Sequence, residues 1–584
     1  MATPASPFAS PLTTSRAESG LPPTGVDFAL SANDGRDQRL FKALIAAKII
    51  LLFILAWNSR FVMDEFAQLG FAKYFSDGMF DTVWPSKAAG YTAFAWVSHQ
   101  IGGNAVSIVL SGRMMNALLA CGTLAMIYGC ARSLGQQRSG ALLAVLVTLS
   151  FSNLMERIFR TNAEPLATFF AVAALLIVLR GGARHDQRRA GIIILAGVVS
   201  GLSFLATQKG VYFNLALGIA LVGDAFLARH FSEGIRRGAW LVVGWLGAIA
   251  AYCLFFGGSD PLPVAANLVF GPAEVASRGG VEYGGLRGYV VQTLSRNVVL
   301  YALCFAGLLL SLRRIGTAGS TTRIAMIFSL IITLLVFAHD QPWPYVFVMV
   351  IPFLALWAPV PFTLLQRQFR RLTVIAVMTA IAISFVSNIA YLPVHNRDQL
   401  DLLARAEALV RPDQIYFDAI GMLPNRREPS QLWLDRHYVL KTLEEGTRSE
   451  AYQLLSHTPP DAILWSYRMD EVDRVISPLI NASYVRVSPN IRLIGQRLES
   501  DRPQLFRVPR SGPFALYRED GAKLACRAEI DGRAIDGPTQ LVAGPHTIRL
   551  GQCPAGTLIL PQGEYAGLFR SGADDSELFT DVYR

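Results

Sequence analysis

Two adjacent carboxylates, Asp64 and Glu65, follow the first strongly apolar stretch of the chain, inside the run Val62-Met63-Asp64-Glu65-Phe66-Ala67-Gln68-Leu69-Gly70-Phe71-Ala72-Lys73-Tyr74-Phe75. A carboxylate in such a place can take a proton from an attacking hydroxyl or hold a cation. Phe66, Leu69, Phe71, Ala72 and Phe75 recur at helical spacing, which predicts a helix lying along a bilayer surface. Neighbouring side chains on a helix diverge by about 100°. One acid can then face a reacting group, while the other orients it, binds metal or meets solvent. From these residues alone, a solvated acidic pair in an interfacial loop is equally open.

Several basic groups accompany the pair. Arg113 stands about eight residues inside an apolar stretch, roughly 12 Å deep at 1.5 Å per residue. An arginine near a bilayer centre costs about 2.5–3.5 kcal/mol, less if it snorkels to the interface. It therefore either reaches outward or faces an interior cavity and an anionic ligand. Arg160 and Glu164 are four apart and could form a simple ion pair on one helix face. Lys87, Lys209 and the His339-Asp340 pair complete the polar set. Bases gathered at one membrane face suit a phosphate or diphosphate, and an acid beside them suits proton removal.

The elements that carry these groups read as membrane spans. Of 584 residues, 52% are hydrophobic and 16% charged, with a mean hydropathy of +0.36. That balance is foreign to a soluble enzyme of this length. Apolar segments at 40–57, 105–131, 140–155, 166–179, 191–206, 211–228, 239–256, 298–312, 324–337, 345–357 and 372–392 predict about eleven spans. With Met1 in the cytoplasm, the inner loops collect fifteen arginines, among them Arg132, Arg184, Arg236, Arg314 and Arg370, against Asp186 and Glu233. This obeys the positive-inside rule and explains the net charge of +10 without nucleic acid. An odd count puts the C-terminal tail outside the cell's inner membrane. Residues 1–38, rich in Pro, Ser and Thr, read as a disordered cytoplasmic arm, and 39–393 as a mainly α, polytopic membrane domain.

Beyond Pro393 the composition becomes soluble. Residues 394–510 read as an extracytoplasmic α/β domain and 511–584 as a small β-sandwich of short strands broken at Gly and Pro. Cys526 and Cys553 are the only cysteines outside apolar segments. In an oxidising compartment such a pair is expected to bridge. The tail shows no concentration of His, Cys or acids, so chemistry is expected in the membrane domain.

The acidic pair in Met63-Asp64-Glu65, then Trp84-Pro85-Ser86-Lys87, then Gly102-Gly103-Asn104 with Arg113 resembles the membrane-embedded C-type glycosyltransferases. Within these it is similar to glycosyltransferase family 39, the protein mannosyltransferase and aminoarabinose transferase group. Arg160-Thr161-Asn162-Ala163-Glu164-Pro165, Lys209-Gly210 and the stretch from Tyr345 to Pro352 resemble further stations of that group. The likeness covers residues 64–352. Many members carry Asp where this chain has Asn162, and the second acid is carried to Glu164 instead. The resemblance implies transfer of a sugar from a polyprenyl-phosphate donor to an extracytoplasmic acceptor (lipid, glycan or protein), with inversion. Asp64 would be the general base, and Glu65 would orient or bind a divalent metal. Lys209, Arg113 and Lys87 would hold the departing phosphate, with Arg160, Glu164 and His339 in support. The rival reading is a transporter or flippase of lipid-linked sugars. It would also need a basic cavity but has no use for an acid in the first outer loop.

Overall fold

A computed structural model describes residues 34–76, 88–181, 189–278, 287–339, 342–429 and 450–580. Nearly all of the expected N-terminal arm, together with Trp84, Pro85, Ser86, Lys87 and Asp340, lies outside the described residues.

Among the described residues, seventeen α-helices precede the first strand. They are α1 (Asp34–Asn58), α2 (Asp64–Ser76), α3 (Gly90–Ile101), α4 (Ala105–Ser133), α5 (Arg138–Ser150), α6 (Ser152–Arg157), α7 (Ala163–Gly181), α8 (Arg189–Ala206), α9 (Val211–Leu227), α10 (Phe231–Gly257), α11 (Leu262–Arg278), α12 (Arg287–Arg296), α13 (Val298–Leu312), α14 (Ser320–Phe337), α15 (Ile351–Ala355), α16 (Pro359–Ile389) and α17 (Arg397–Leu409). Among the described residues, seven helices are long and apolar enough to cross a membrane. The number rises to nine if two bent pairs, broken by 92° and 55°, each count as one span. The eleven spans expected from apolar runs are not reached on this measure, and the reason is local. The run 140–155 is interrupted at Phe151, whose extended backbone (φ −72°, ψ 116°) ends α5 and starts α6. At about 1.5 Å per residue α5 is then near 20 Å long, short of a hydrocarbon core of about 30 Å.

The acid-bearing helix α2 starts where Glu65 and Phe66 donate their backbone N–H groups to Val62 and Met63. Both acids stand in its first turn, where the positive end of the helix dipole favours them. Phe66, Leu69 and Ala72 are fully buried, and α2 packs on α3 and α4. The end of α1 is stitched to the start of the tail. Asn396 donates its backbone N–H to Asn58 and its side-chain amide to the Trp57 carbonyl (2.8 Å), and the Asn58 amide donates to Leu392 (2.9 Å). Deeper in the bundle, the buried Lys48 of α1 donates to Ser384 and Asn388 of α16 at 2.9 and 3.0 Å.

The tail begins with α17 and a mixed four-stranded sheet of order β1-β2-β4-β3, made of β1 (Tyr416–Phe417), β2 (Ala462–Leu464), β3 (Tyr484–Ser488) and β4 (Ile491–Ile494). Helices α18 (Glu450–His457) and α19 (Tyr467–Ser483) share a small core with it through Phe417, Ile463, Val472 and Ile476. Next come β5 (Gln496–Leu498), β6 (Gln504–Val508), β7 (Gly512–Tyr517), β8 (Ala528–Ile530), β9 (Arg533–Ile535), β10 (Thr539–Leu541), β11 (Gly544–Arg549) and β12 (Thr557–Pro561). They form two antiparallel sheets, β10-β7-β12-β5 and β6-β11-β8-β9, packed over Leu498, Phe506, Phe514, Ile530, Ile548 and Ile559. β5 and β6, which lie before residue 510, thus pair into the same two sheets as β7 to β12. β5 pairs with β12 and β6 with β11, partners about 40–60 residues away that local alternation does not reveal.

Cys526 and Cys553 are joined in a disulfide, their Cα atoms 5.2 Å apart and 27 residues apart in sequence. Alkylation of the denatured, unreduced protein should modify Cys121, Cys130, Cys253 and Cys304, which are free thiols, and spare these two. Full alkylation of Cys526 and Cys553 would refute the bridge. Closing this loop should stabilise the sandwich by about 2–4 kcal/mol.

Candidate active site

The site is organised by an arginine that meets no water. Helix α4 is capped by Asn104, whose side chain accepts from Ser107 N at 2.8 Å while Ser107 Oγ accepts from Asn104 N at 3.0 Å. From this fixed start the helix carries Arg113 into the interior, where it is 0% exposed. Its Nε donates to Glu65 Oε2 at 2.7 Å and its Nη2 to Glu65 Oε1 at 2.6 Å. Nη2 also reaches the Arg60 carbonyl at 2.8 Å, and Nη1 reaches the carbonyls of Ser59 and Ala56 at 2.5 and 3.5 Å. All five N–H groups of the guanidinium are thus spent, and its face lies 3.7 Å from the Phe61 ring centroid. Arg113 was expected to hold a phosphate. Its donors are instead committed to Glu65 and to the chain leaving α1.

Glu65 is equally committed. Oε1 accepts from Arg113, from Arg160 Nη1 at 2.9 Å and from Val62 N at 3.1 Å; Oε2 accepts from Arg113 Nε and from Thr161 N at 3.2 Å. Burial alone would raise this carboxyl, but Arg113, with Arg160, outweighs it and brings it down to about 2. Five donors fill the roughly four lone-pair positions of a carboxylate, so no oxygen is turned toward a cation. Of the two roles expected for Glu65, orientation matches this geometry and metal binding does not. Among the described residues, no three His, Cys, Asp or Glu side chains converge as metal ligands. Asp64, one position earlier, is exposed. The 100° divergence thus sends one acid into the core and the other outward.

Arg160 and Glu164 do not pair with each other. Between α6 and α7 the chain turns through residues 158–162, so the two never share a helix face. Arg160 joins Glu65, and Glu164, in the first turn of α7, meets Lys209 Nζ at 2.7 Å. Lys209, in the single 3-10 turn Gln208–Gly210 ahead of α9, keeps about a quarter of its side chain exposed and sits 4.4 Å from the Tyr345 ring centroid. His339 Nδ1 is hydrogen-bonded to Tyr212 Oη at 2.9 Å. Two residues absent from the sequence reading join the network. Asn116 donates to the buried Tyr91 hydroxyl at 2.9 Å and to the Arg160 carbonyl. Asn116 is three residues beyond Arg113 on α4, a spacing that puts both on one face and could have revealed it.

This arrangement predicts how the Glu65 lock responds to substitution and acid. Glu65→Gln should destabilise the protein by about 3–5 kcal/mol at neutral pH, because two buried arginines lose their counter-charge. The Glu65 carboxyl is depressed from 4.5 to about 2. Its contribution is therefore complete above about pH 4.5 and is lost as pH falls toward 2. Melting curves should show the gap between wild type and Glu65→Gln constant near neutrality and closing below pH 4.5. A gap independent of pH would contradict the lock.

Two family models match the tail, each described as a domain of unknown function: DUF7056 over residues 440–493 and DUF7055 over 496–561. Their junction coincides with the step from β4 to β5. No curated protein matches the chain. Among solved structures, the chain is similar to ArnT from Cupriavidus metallidurans in the apo state. The identity is 13% and the TM-score 0.54, over 78% of this chain and 98% of that one. The same protein bound to undecaprenyl phosphate gives 14% identity and a TM-score of 0.55, over 80% and 98%. The apo oligosaccharyltransferase of Archaeoglobus fulgidus gives 11% and 0.50, over 82% and 73%. With its apolar helix bundle followed by a sheet-rich tail, the chain has the fold of the membrane-embedded C-type glycosyltransferases.

Proposed function

We propose that the protein is an integral membrane glycosyltransferase that moves a sugar from a polyprenyl-phosphate donor to an extracytoplasmic acceptor, with inversion at the anomeric carbon. The observation that carries this reading is the opposite fate of the two adjacent acids. Glu65 is buried and charge-locked by Arg113 and Arg160, while Asp64 stands exposed in the first turn of α2. The fold likeness to an ArnT crystallised with undecaprenyl phosphate supports a lipid-phosphate donor.

Asp64 is the general base in this scheme. It takes the proton of the acceptor hydroxyl as that oxygen attacks the anomeric carbon from the face opposite the phosphate. The bond from the sugar to phosphate breaks, and the polyprenyl phosphate departs as an anion. Lys209, the partly exposed base held by Glu164 and Tyr345, meets that charge, a role the family resemblance also implies for Lys87. Arg113 acts by positioning, because none of its N–H groups is spare. The arginine-rich inner loops support an N-terminus in the cytoplasm, a tail outside and residence in the inner membrane. A transporter of the same lipid would have no use for an acid held exposed beside a locked one.

Asp64→Asn removes the proton acceptor with little change of shape. In washed membranes it should accumulate normally while transfer falls by about 10²–10⁴. Near-normal transfer would remove Asp64 as the base. Lys209→Ala should raise the apparent KM for the lipid donor more than that for the acceptor, and the reverse pattern would assign Lys209 to the acceptor.

A further inference from the structure

The tail holds no proposed catalytic group, yet its last described turn returns to the acid helix. The 3-10 turn Ser576–Phe579 buries Leu578 and Phe579. The Phe579 ring meets Phe66 of α2 edge-on, centroids 5.4 Å apart. The Leu578 carbonyl accepts from Arg60 Nη2 at 2.9 Å and from Gln399 Nε2 at 2.6 Å. Gln399, on α17 and fully buried, also brackets Phe61. Its Oε1 accepts from Phe61 N at 2.7 Å and its Nε2 donates to Phe61 O at 2.9 Å. Residues 59–61 are thus held on one side by Arg113 and on the other by Gln399 and the C-terminal turn.

That turn is anchored in turn to the tail. Asn490 donates from Nδ2 to the Asp575 carbonyl at 2.8 Å and accepts from Asp575 N at 3.0 Å, while Arg492 Nη2 meets Asp574 Oδ2 at 2.6 Å. Asn490 also donates to the Trp465 carbonyl at 2.7 Å, just before α19, whose first residue Tyr467 touches the Met63 sulfur. Met63 immediately precedes Asp64. The sheet β1-β2-β4-β3 therefore reaches the acid helix at two points, through Tyr467 and through the C-terminal strap.

We propose that the strap formed by residues 574–579, with Gln399, is a positioning element for Asp64: the tail contributes to the reaction by fixing the first turn of α2 rather than by supplying a reacting group. This rests on the transfer reading of Asp64, and its test keeps the two separable. Phe579→Ala removes the ring from Phe66, and Arg60→Ala removes one bond to Leu578 and leaves the Arg60 backbone in place. Each purified full-length variant is compared with wild type for transfer kinetics and for hydrogen exchange of the amides in residues 61–69.

In Phe579→Ala, kcat should fall by about 10- to 100-fold, the scale of a small misplacement of a catalytic group, with the KM for the polyprenyl-phosphate donor unchanged. Exchange in 61–69 should quicken while the Cys526–Cys553 bridge stays intact, and Phe579→Leu should recover part of both. Arg60→Ala should show the same pattern more weakly, which keeps the test available should Phe579→Ala fail to fold. Unaltered exchange in 61–69 in the folded variants would overturn the strap, as would a loss expressed in donor KM with kcat intact. A wild-type protein without transfer activity would sink the transferase reading alone, since exchange would still decide the strap.

Discussion

The ion pair between Glu65 and Arg113 is the constraint on which the rest of the site depends. A charge taken from water carries a desolvation cost that only close partners offset. Here the partners come from four separate stretches. The end of α1 and the two residues that follow it supply three carbonyls, the first turn of α2 supplies the carboxylate, α4 supplies the guanidinium, and the turn before α7 supplies Arg160 and the Thr161 amide. No one of these can shift without leaving a buried donor or acceptor unmatched. The pair therefore acts as a register pin for the end of the bundle where α1, α2, α4 and α7 meet.

Its chemical consequence follows from helix geometry. With Glu65 fixed inward, the preceding residue must project elsewhere, and Asp64 stands exposed in the same helical turn. For the proposed role of Asp64 as general base, preorganisation of this kind would avoid rearrangement at the moment of proton transfer. The second pair, Lys209 with Glu164, is built differently. It is partly exposed, and among the described residues the lysine makes one hydrogen bond, to Glu164, so its cation could exchange one anion for another at modest cost. One pair is buried and the other is partly exposed, which is the basis for proposing Lys209 as the group that meets the substrate.

The sequence made much of this legible, and its misses have identifiable causes. Apolar runs located α1, α4, α7, α9, α10 and α14 because each is long enough to reveal itself by composition. The runs at 140–155 and 345–357 concealed breaks, since an extended Phe151 and a 3-10 turn at Pro344–Met349 leave hydropathy untouched. The divergence of Asp64 and Glu65 was readable from the 100° step, but nothing local said which would turn inward. That choice depends on Arg113, 48 residues away, and no periodicity connects the two. For the same reason the sequence left open whether Arg113 reaches outward or faces the interior, and its pairing with Glu65 could not be read from it. Arg160 and Glu164 suggested a helix-face pair that the turn at 158–162 abolishes.

The most direct test of the account is a structure of the protein with a polyprenyl phosphate bound. Arg113 should keep both hydrogen bonds to Glu65, and the lipid phosphate should lie within hydrogen-bonding distance of Lys209, about 2.7–3.2 Å. A phosphate held by Arg113, with Glu65 displaced from it, would contradict the claim that this pair is the fixed frame of the site.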